Sequence, residues 1–159
     1  MDNIISLDEI QTIINKEKLS GKKIVLVGGV FDLLHFGHIK FLEEAAQLGD
    51  VLIIALEPDK RVQATKGLER PIHDEVKRAY ILTSLRFVSY VTILPLLNTD
   101  QDYAGITKRL RPDIVAVTEG DPMLTNKKKQ VEAIGGKIEV LPKIPTPSST
   151  KLLKLLSIE

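Results

Sequence analysis

Apolar positions recur along the chain in two rhythms that take turns. Ser6, followed three residues later by Glu9, has the form of a capping box. Ile10, Ile13 and Ile14 then return at helical spacing until "SGKK" breaks the pattern, which predicts a short amphipathic helix. "KIVLVGGVF" is instead a continuous apolar run, rich in β-branched residues and ending in glycines, as expected of a strand buried on both faces. From His38, "HIKFLEEAAQLGD" places Ile39, Leu42, Ala45, Ala46 and Leu48 at helical spacing and stops at Gly49; "VLIIAL" follows as a second strand. The alternation continues with "HDEVKRAYILTSLRFV" as helix, "YVTIL" as strand, "DYAGITKRLRP" as a helix stopped near a proline, and "DIVAVT" as strand. "KKKQVEAIGG" and "KIEVLP" add a helix and a strand, and "SSTKLLKLL" closes the chain as a helix capped by serine. Strands alternating with helices at this spacing imply βαβ units, hence an α/β fold with a doubly wound parallel sheet.

The 159 residues fit one domain, an N-terminal helix over 1–20 leading into an α/β core over 21–159. No stretch approaches the roughly 20 apolar residues of a membrane span, and the N-terminus carries acids among its apolar positions without a basic leader. A cytoplasmic protein without membrane partners is expected. The absence of cysteine excludes disulfides, thiolate catalysis and cysteine-based metal sites. With 22 basic and 21 acidic residues the net charge is +1, so no bulk field argues for nucleic acid; the run Lys127-Lys128-Lys129 reads as a solvated face.

Chemistry concentrates in "GGVFDLLHFGH", Gly28 to His38. In an open parallel sheet, ligands bind beyond the carboxyl ends of strands, where a starting helix aims free N–H groups and its positive dipole end outward. There Gly28 and Gly29 allow close backbone approach, Gly37 lets the chain turn tightly, and His35 and His38 flank the helix start, a set that suits a polyphosphate. No Gly-Lys-Ser/Thr follows, as a Walker loop requires, and the third glycine of a dinucleotide fingerprint is missing. A zinc site would need a third ligand, and the one remaining histidine, His73, lies in the hydrophilic "RPIHDEVKR", so no metal ligands are assigned. A structural histidine pair is the other alternative, although glycines beside it would be an odd way to fill a core.

The stretch "GVFDLLHFGHIKFLEEAAQLGD" resembles the N-terminal signature of the cytidylyltransferase-like nucleotidyltransferase superfamily, His-x-Gly-His after a Gly-x-Phe-Asp turn. The likeness continues through Lys66-Gly67, Arg70-Pro71, Arg78, Glu119 to Asp121 and Ser148 to Leu153, covering Gly21 to about Leu156. Within the superfamily the helix ahead of "GKKIV" and the segment "TKGLERPI" are most similar to heptose-1-phosphate adenylyltransferases, the second domain of bifunctional heptose enzymes. Glycerol-3-phosphate cytidylyltransferase is the next neighbour. The resemblance implies a Rossmann-like fold and transfer of a nucleoside monophosphate from ATP or CTP to a phosphorylated sugar or polyol, with release of pyrophosphate. It also implies magnesium bound with the triphosphate, and a homodimer. By the same resemblance His35 and His38 donate to phosphate oxygens, the backbone of Gly29, Val30, Phe31 and Asp32 holds the nucleotide, and Lys66 and Arg78 neutralise phosphates. Ser148, Ser149 and Thr150 would contact the β and γ phosphates, with Glu119, Asp121 and Lys143 completing the nucleotide site.

The chain departs from both neighbours. Heptose enzymes usually carry Lys-Gly-Gly-Asp-Tyr where Glu119-Gly120-Asp121-Pro122 stands here, and often an asparagine at Gly28. Lys143 stands where the glycerol-3-phosphate enzymes place an arginine, a point charge in place of a planar fork. The heptose-like segments favour ATP. The alternative of another class is a nucleotide-binding protein that kept the fold and lost turnover.

Overall fold

The computed structural model describes residues 3–156, the side chain of Ser149 excepted. Five strands, β1 (Ile24–Gly29), β2 (Val51–Leu56), β3 (Tyr90–Ile93), β4 (Ile114–Thr118) and β5 (Lys137–Leu141), form one all-parallel sheet in the order β3-β2-β1-β4-β5. Helices α1 (Leu7–Leu19), α2 (Phe36–Ala46), α3 (Asp59–Lys66), α4 (Glu75–Thr83), α5 (Asp100–Leu110), α6 (Leu124–Glu132) and α7 (Ser149–Leu156) alternate with the strands, except that α3 and α4 both lie between β2 and β3.

The strand pleat sorts the core into two faces. Val25, Val27, Leu52 and Ile54 point to one side, where they meet Phe41 and Leu42 of α2 and Ala79 and Leu82 of α4. Their neighbours Ile24, Leu26, Val51 and Ile53 point to the other, against Ile10 and Ile14 of α1, Leu110 of α5 and Val131 of α6. The inner strands β1, β2 and β4, covered on both faces, have no room for polar alternation and read as unbroken apolar runs, whereas edge strand β5 carries Lys137 and Glu139.

Helix starts follow local chemistry. Ser6 caps α1 through the expected box, its Oγ accepting from the Glu9 amide at 3.3 Å. Thr99 and Asp102 form a second box that starts α5 two residues earlier than the apolar pattern suggests. The helix expected over 73–88 is confined to α4, because the Asp74 carboxylate accepts from the Lys77 amide and fixes the start at Glu75. α3 is a helix that the apolar pattern did not predict, since Val62 is its one buried residue. At the chain start, Ile5 N–H donates to Val91 and Val91 N–H to Asn3, so residues 3–5 run along the outer edge of β3.

The feature that positions the site is a divergence of strands. β1 pairs with β2 over all six residues, from Ile24↔Val51 to Gly29↔Leu56. With β4 it pairs only at Val25↔Ile114 and Leu26↔Val115, so from Val27 onward β1 and β4 part. This is where the strand order reverses, the crevice in which doubly wound sheets bind ligands.

Candidate active site

A cavity of about 350 Å³ opens between the parted strands. On the β1 side it is lined by Gly29, Val30, Phe31, Asp32, His38 and Lys66, and on the β4 side by Thr118 to Asp121 with Lys127 and Lys143 beyond. The strand-to-helix turn is held in an unusual shape. Phe31 has φ 44°, left-handed backbone that a bulky residue adopts only when its surroundings impose it. Its ring lies over Gly29, where a Cβ would stand 2.6 Å from Phe31 Cε2, and meets the His38 ring edge-on with centroids 5.4 Å apart.

Two arginines impose that shape. Arg78 is 1% exposed, and its guanidinium donates to the carbonyls of Val30 (2.6 Å), Glu57 (2.9 Å) and His73 (3.1 Å) and to the Asp59 carboxylate (2.6 Å). It thereby ties the carboxyl ends of β1 and β2 to the start of α3 and to the segment ahead of α4. Asp32, also buried, accepts from Arg70 Nε and from the Ile72 amide (2.7 Å), which fastens the segment after α3 against the turn.

His35 is the N-cap residue of α2 but no side chain caps that helix, leaving its first N–H groups and positive dipole end facing the turn. The His35 and His38 rings stack with centroids 3.8 Å apart. Burial, with the neighbouring His35 second, pushes His38 down to about 4, and burial lowers His35 as well, so both are neutral at neutral pH. The Nδ1 atoms of both rings are buried without a hydrogen-bond partner among the described residues. Burial also lowers the Lys66 ammonium, with Arg70 the next cause. Among the described residues neither Lys66 nor Lys143 is in an ion pair, whereas Lys127 holds Asp121 at 2.6 Å. Two unpaired cations and the neutral His38 imidazole, backed by His35, therefore face one crevice.

The structure thus brings together Gly29, Val30, Phe31, Asp32, His38, Lys66, Glu119, Asp121 and Lys143, with His35 behind His38. Several roles change on inspection. Arg78 was expected to neutralise a phosphate; here four of its five N–H groups are held by the protein and it does not line the cavity, so its contacts are those of a strut between the turn and its neighbours. Both Asp121 oxygens are engaged, one by Lys127 and one by the Met123 amide (2.7 Å), whereas the exposed Glu119 carboxylate has no partner among the described residues. Ser148 accepts from the Lys151 amide as the cap of α7, and neither it nor Thr150 lines the cavity. The Ser149 side chain lies outside the described residues. Gly37 does not make a turn: it sits inside α2, where a Cβ would stand 2.5 Å from Thr146 Cγ2, so its bareness admits the C-terminal segment against the histidine pair. Arg70 and Thr146 were not read as site residues, because their contacts are to residues far away in sequence. Among the described residues no three His, Asp or Glu side chains gather as a metal site, and no helix is long and apolar enough to cross a membrane.

The cytidylyltransferase-like family model matches residues 26–152. The chain is 39% identical over 153 residues to the bifunctional protein HldE of Geobacter metallireducens, covering 94% of this chain and 30% of the relative. It is 36% identical over 154 residues to the bifunctional protein HldE of Geotalea uraniireducens, covering 95% and 30%. It thus spans 30% of the length of these curated relatives. Among solved structures it is similar to the lipopolysaccharide core biosynthesis protein from Thermoplasma volcanium, with a TM-score of 0.64 at 24% identity over 79% of this chain and 99% of that one. Pantoate-beta-alanine ligase from Francisella tularensis gives a TM-score of 0.65 at 19% identity over 91% and 69%. At those identities the likeness is one of fold, a parallel Rossmann-like sheet flanked by helices.

Proposed function

The chain belongs to the cytidylyltransferase-like family, and on that premise we propose that it transfers a nucleoside monophosphate from a triphosphate to a phosphorylated sugar, releasing pyrophosphate. The observation that carries this reading is the crevice between β1 and β4, where unpaired Lys66 and Lys143 converge with the neutral His38, on which His35 stacks. Such a set suits a polyanion, and it lies beside the uncapped start of α2.

In this reaction an oxygen of the acceptor's phosphate attacks the α-phosphorus, the bond from that phosphorus to the bridging oxygen breaks, and pyrophosphate leaves with the electron pair. No side chain needs to become covalently attached, which fits a chain without cysteine. The protein's task is to align two anions and to stabilise charge growing on the transferred phosphoryl group. His38 does this as a neutral N–H donor, and Lys66 and Lys143 as point charges. Arg78 and Arg70 act one step back by fixing the Gly29 to Asp32 backbone. Magnesium would enter with the triphosphate, whose oxygens are its principal ligands. In the first cavity Glu119 is the carboxylate left uncommitted to assist, since Asp32 and Asp121 are engaged.

The resemblance to heptose-1-phosphate adenylyltransferases and the similarity to HldE proteins support ATP as donor and a sugar 1-phosphate as acceptor. We place the protein in the cytoplasm as a homodimer; Phe36 on α2 and Val76 and Tyr80 on α4 are apolar side chains more than half exposed that a second copy would cover. Pyrophosphate release, measured with each nucleoside triphosphate against heptose 1-phosphate, mannose 1-phosphate and glycerol 3-phosphate, tests the reading. Release with ATP and a sugar 1-phosphate is expected; none with any pair would leave a nucleotide-binding protein without turnover.

A further inference from the structure

A second cavity, of about 340 Å³, adjoins the first and shares with it Gly28, Gly29, Val30, Ala116, Val117 and Lys127. The two therefore meet where β1 and β4 part. Its floor is apolar, with Leu26, Leu94 and Ile106 among the lining residues, and its walls carry Glu57, Arg61 and Asn98. At about 30 Å³ per water it has room for the equivalent of roughly eleven waters, much more than a three-carbon polyol displaces.

Glu57 is the unusual group here. It follows β2 directly, its amide donating to the Gly29 carbonyl at 3.0 Å and its own carbonyl accepting from Arg78, so its backbone is fixed on both sides. The Tyr103 hydroxyl donates to Oε1 at 2.9 Å and orients the carboxyl. Oε2 is buried and has no partner among the described residues. Leaving a buried carboxyl oxygen unpaired is costly, and a lining position lets an incoming donor relieve that cost. Burial pushes the Glu57 carboxyl up from its ordinary value, with the Tyr103 hydroxyl and Arg61 opposing. A hydroxyl suits this position: the carboxyl already accepts from one, that of Tyr103, and Arg61 among the lining residues offsets its charge.

We propose that the hydroxylated carbon body of the acceptor occupies this second cavity, and that Glu57, oriented by Tyr103, is the specificity-determining residue that accepts hydrogen bonds from its hydroxyls. This rests on the transfer reaction proposed above. The acceptor's phosphate then lies at the shared Gly28 to Val30 junction, facing a triphosphate in the first cavity.

The test is steady-state kinetics on the full chain with ATP and heptose 1-phosphate or mannose 1-phosphate, comparing wild type with Glu57→Gln, Glu57→Leu and Tyr103→Phe. The expected result is an acceptor KM raised about 10- to 100-fold in Glu57→Leu and less in the other two, with the ATP KM unchanged. Folded Glu57 variants with a wild-type acceptor KM would overturn the assignment while the transfer reaction stood. If the Glu57 variants melt early, Tyr103→Phe decides, since it keeps the ring and removes only the hydroxyl; an unchanged acceptor KM there overturns the assignment too. Wild type inactive with every triphosphate and acceptor would sink the reaction and this inference together.

Discussion

The imidazole of His35 stacks on that of His38, with centroids 3.8 Å apart and planes at 25°. Burial disfavours the charged ring, and a second imidazole this close adds to the effect, so His38 is held at about 4 against an ordinary value of 6.5. A histidine depressed in the folded state contributes stability that is fully present above 6.5 and is lost as pH falls toward about 4, because over that window the unfolded chain takes up a proton that the folded chain refuses. Urea unfolding followed from pH 7 to pH 4 should show wild type losing more stability than His38→Gln. Parallel curves would mean that His38 is not depressed.

The same neutral ring should serve as donor to the transferred phosphoryl group. His38→Ala is expected to lower the rate of pyrophosphate release about 10²–10³-fold, the usual effect of removing one donor aimed at developing charge, with the melting temperature little changed. Near-normal release in a folded His38→Ala protein would remove the histidine pair from the chemistry.

How much of this was legible in the sequence depended on whether the signal was local. β2 was read residue for residue because Val51 to Leu56 are all buried and so all apolar. The histidine turn could be read because its glycines, Phe31, His35 and His38 lie within a dozen positions. The phosphate role expected of Arg78 rested on its charge, because a sequence displays charge and hides burial; its four bonds reach residues 5 to 48 positions away and leave no local pattern. The pairing of Glu57 with Tyr103 spans 46 positions and left no trace in any local pattern.

Arg78→Met should act on folding before it acts on binding. It strands the Asp59 carboxylate and the carbonyls of Val30 and Glu57 at a site that is 1% exposed. Breaking a buried pair from one side costs about 3–5 kcal/mol, which for a chain of this length lowers the melting temperature by roughly 6–20 °C. A melting temperature within about 2 °C of wild type, accompanied by a raised nucleotide KM, would return Arg78 to the phosphate site.

Lys66 and Lys143 have no carboxylate partners among the described residues, so removing either should cost nucleotide affinity without costing an ion pair. Lys66→Met and Lys143→Met are each expected to raise the ATP KM about 10- to 100-fold, as loss of a charge-assisted hydrogen bond does. Glu119→Lys should weaken nucleotide or acceptor binding if its free carboxylate accepts from a base amine or a sugar hydroxyl. Unchanged Michaelis constants for both substrates would make Glu119 a bystander.

Two adjacent glycines separate packing from substrate binding. A Cβ at Gly29 would stand 2.6 Å from the Phe31 ring, which Arg78 and the left-handed Phe31 backbone hold in place, so Gly29→Ala must push that ring aside. Overpacking of this kind costs about 1–3 kcal/mol and should appear as a lowered melting temperature. A Cβ at Gly28 would meet nothing closer than the Ala55 carbonyl at 4.0 Å, and Gly28 lines both cavities, so the added methyl would enter the space that they share. Gly28→Ala should therefore melt like wild type, and because heptose enzymes often carry an asparagine at this position its effect should fall on the Michaelis constants of the two substrates and leave kcat close to wild type. A Gly28→Ala protein that melts as early as Gly29→Ala would show that the Gly28 Cβ meets packed atoms and not open space.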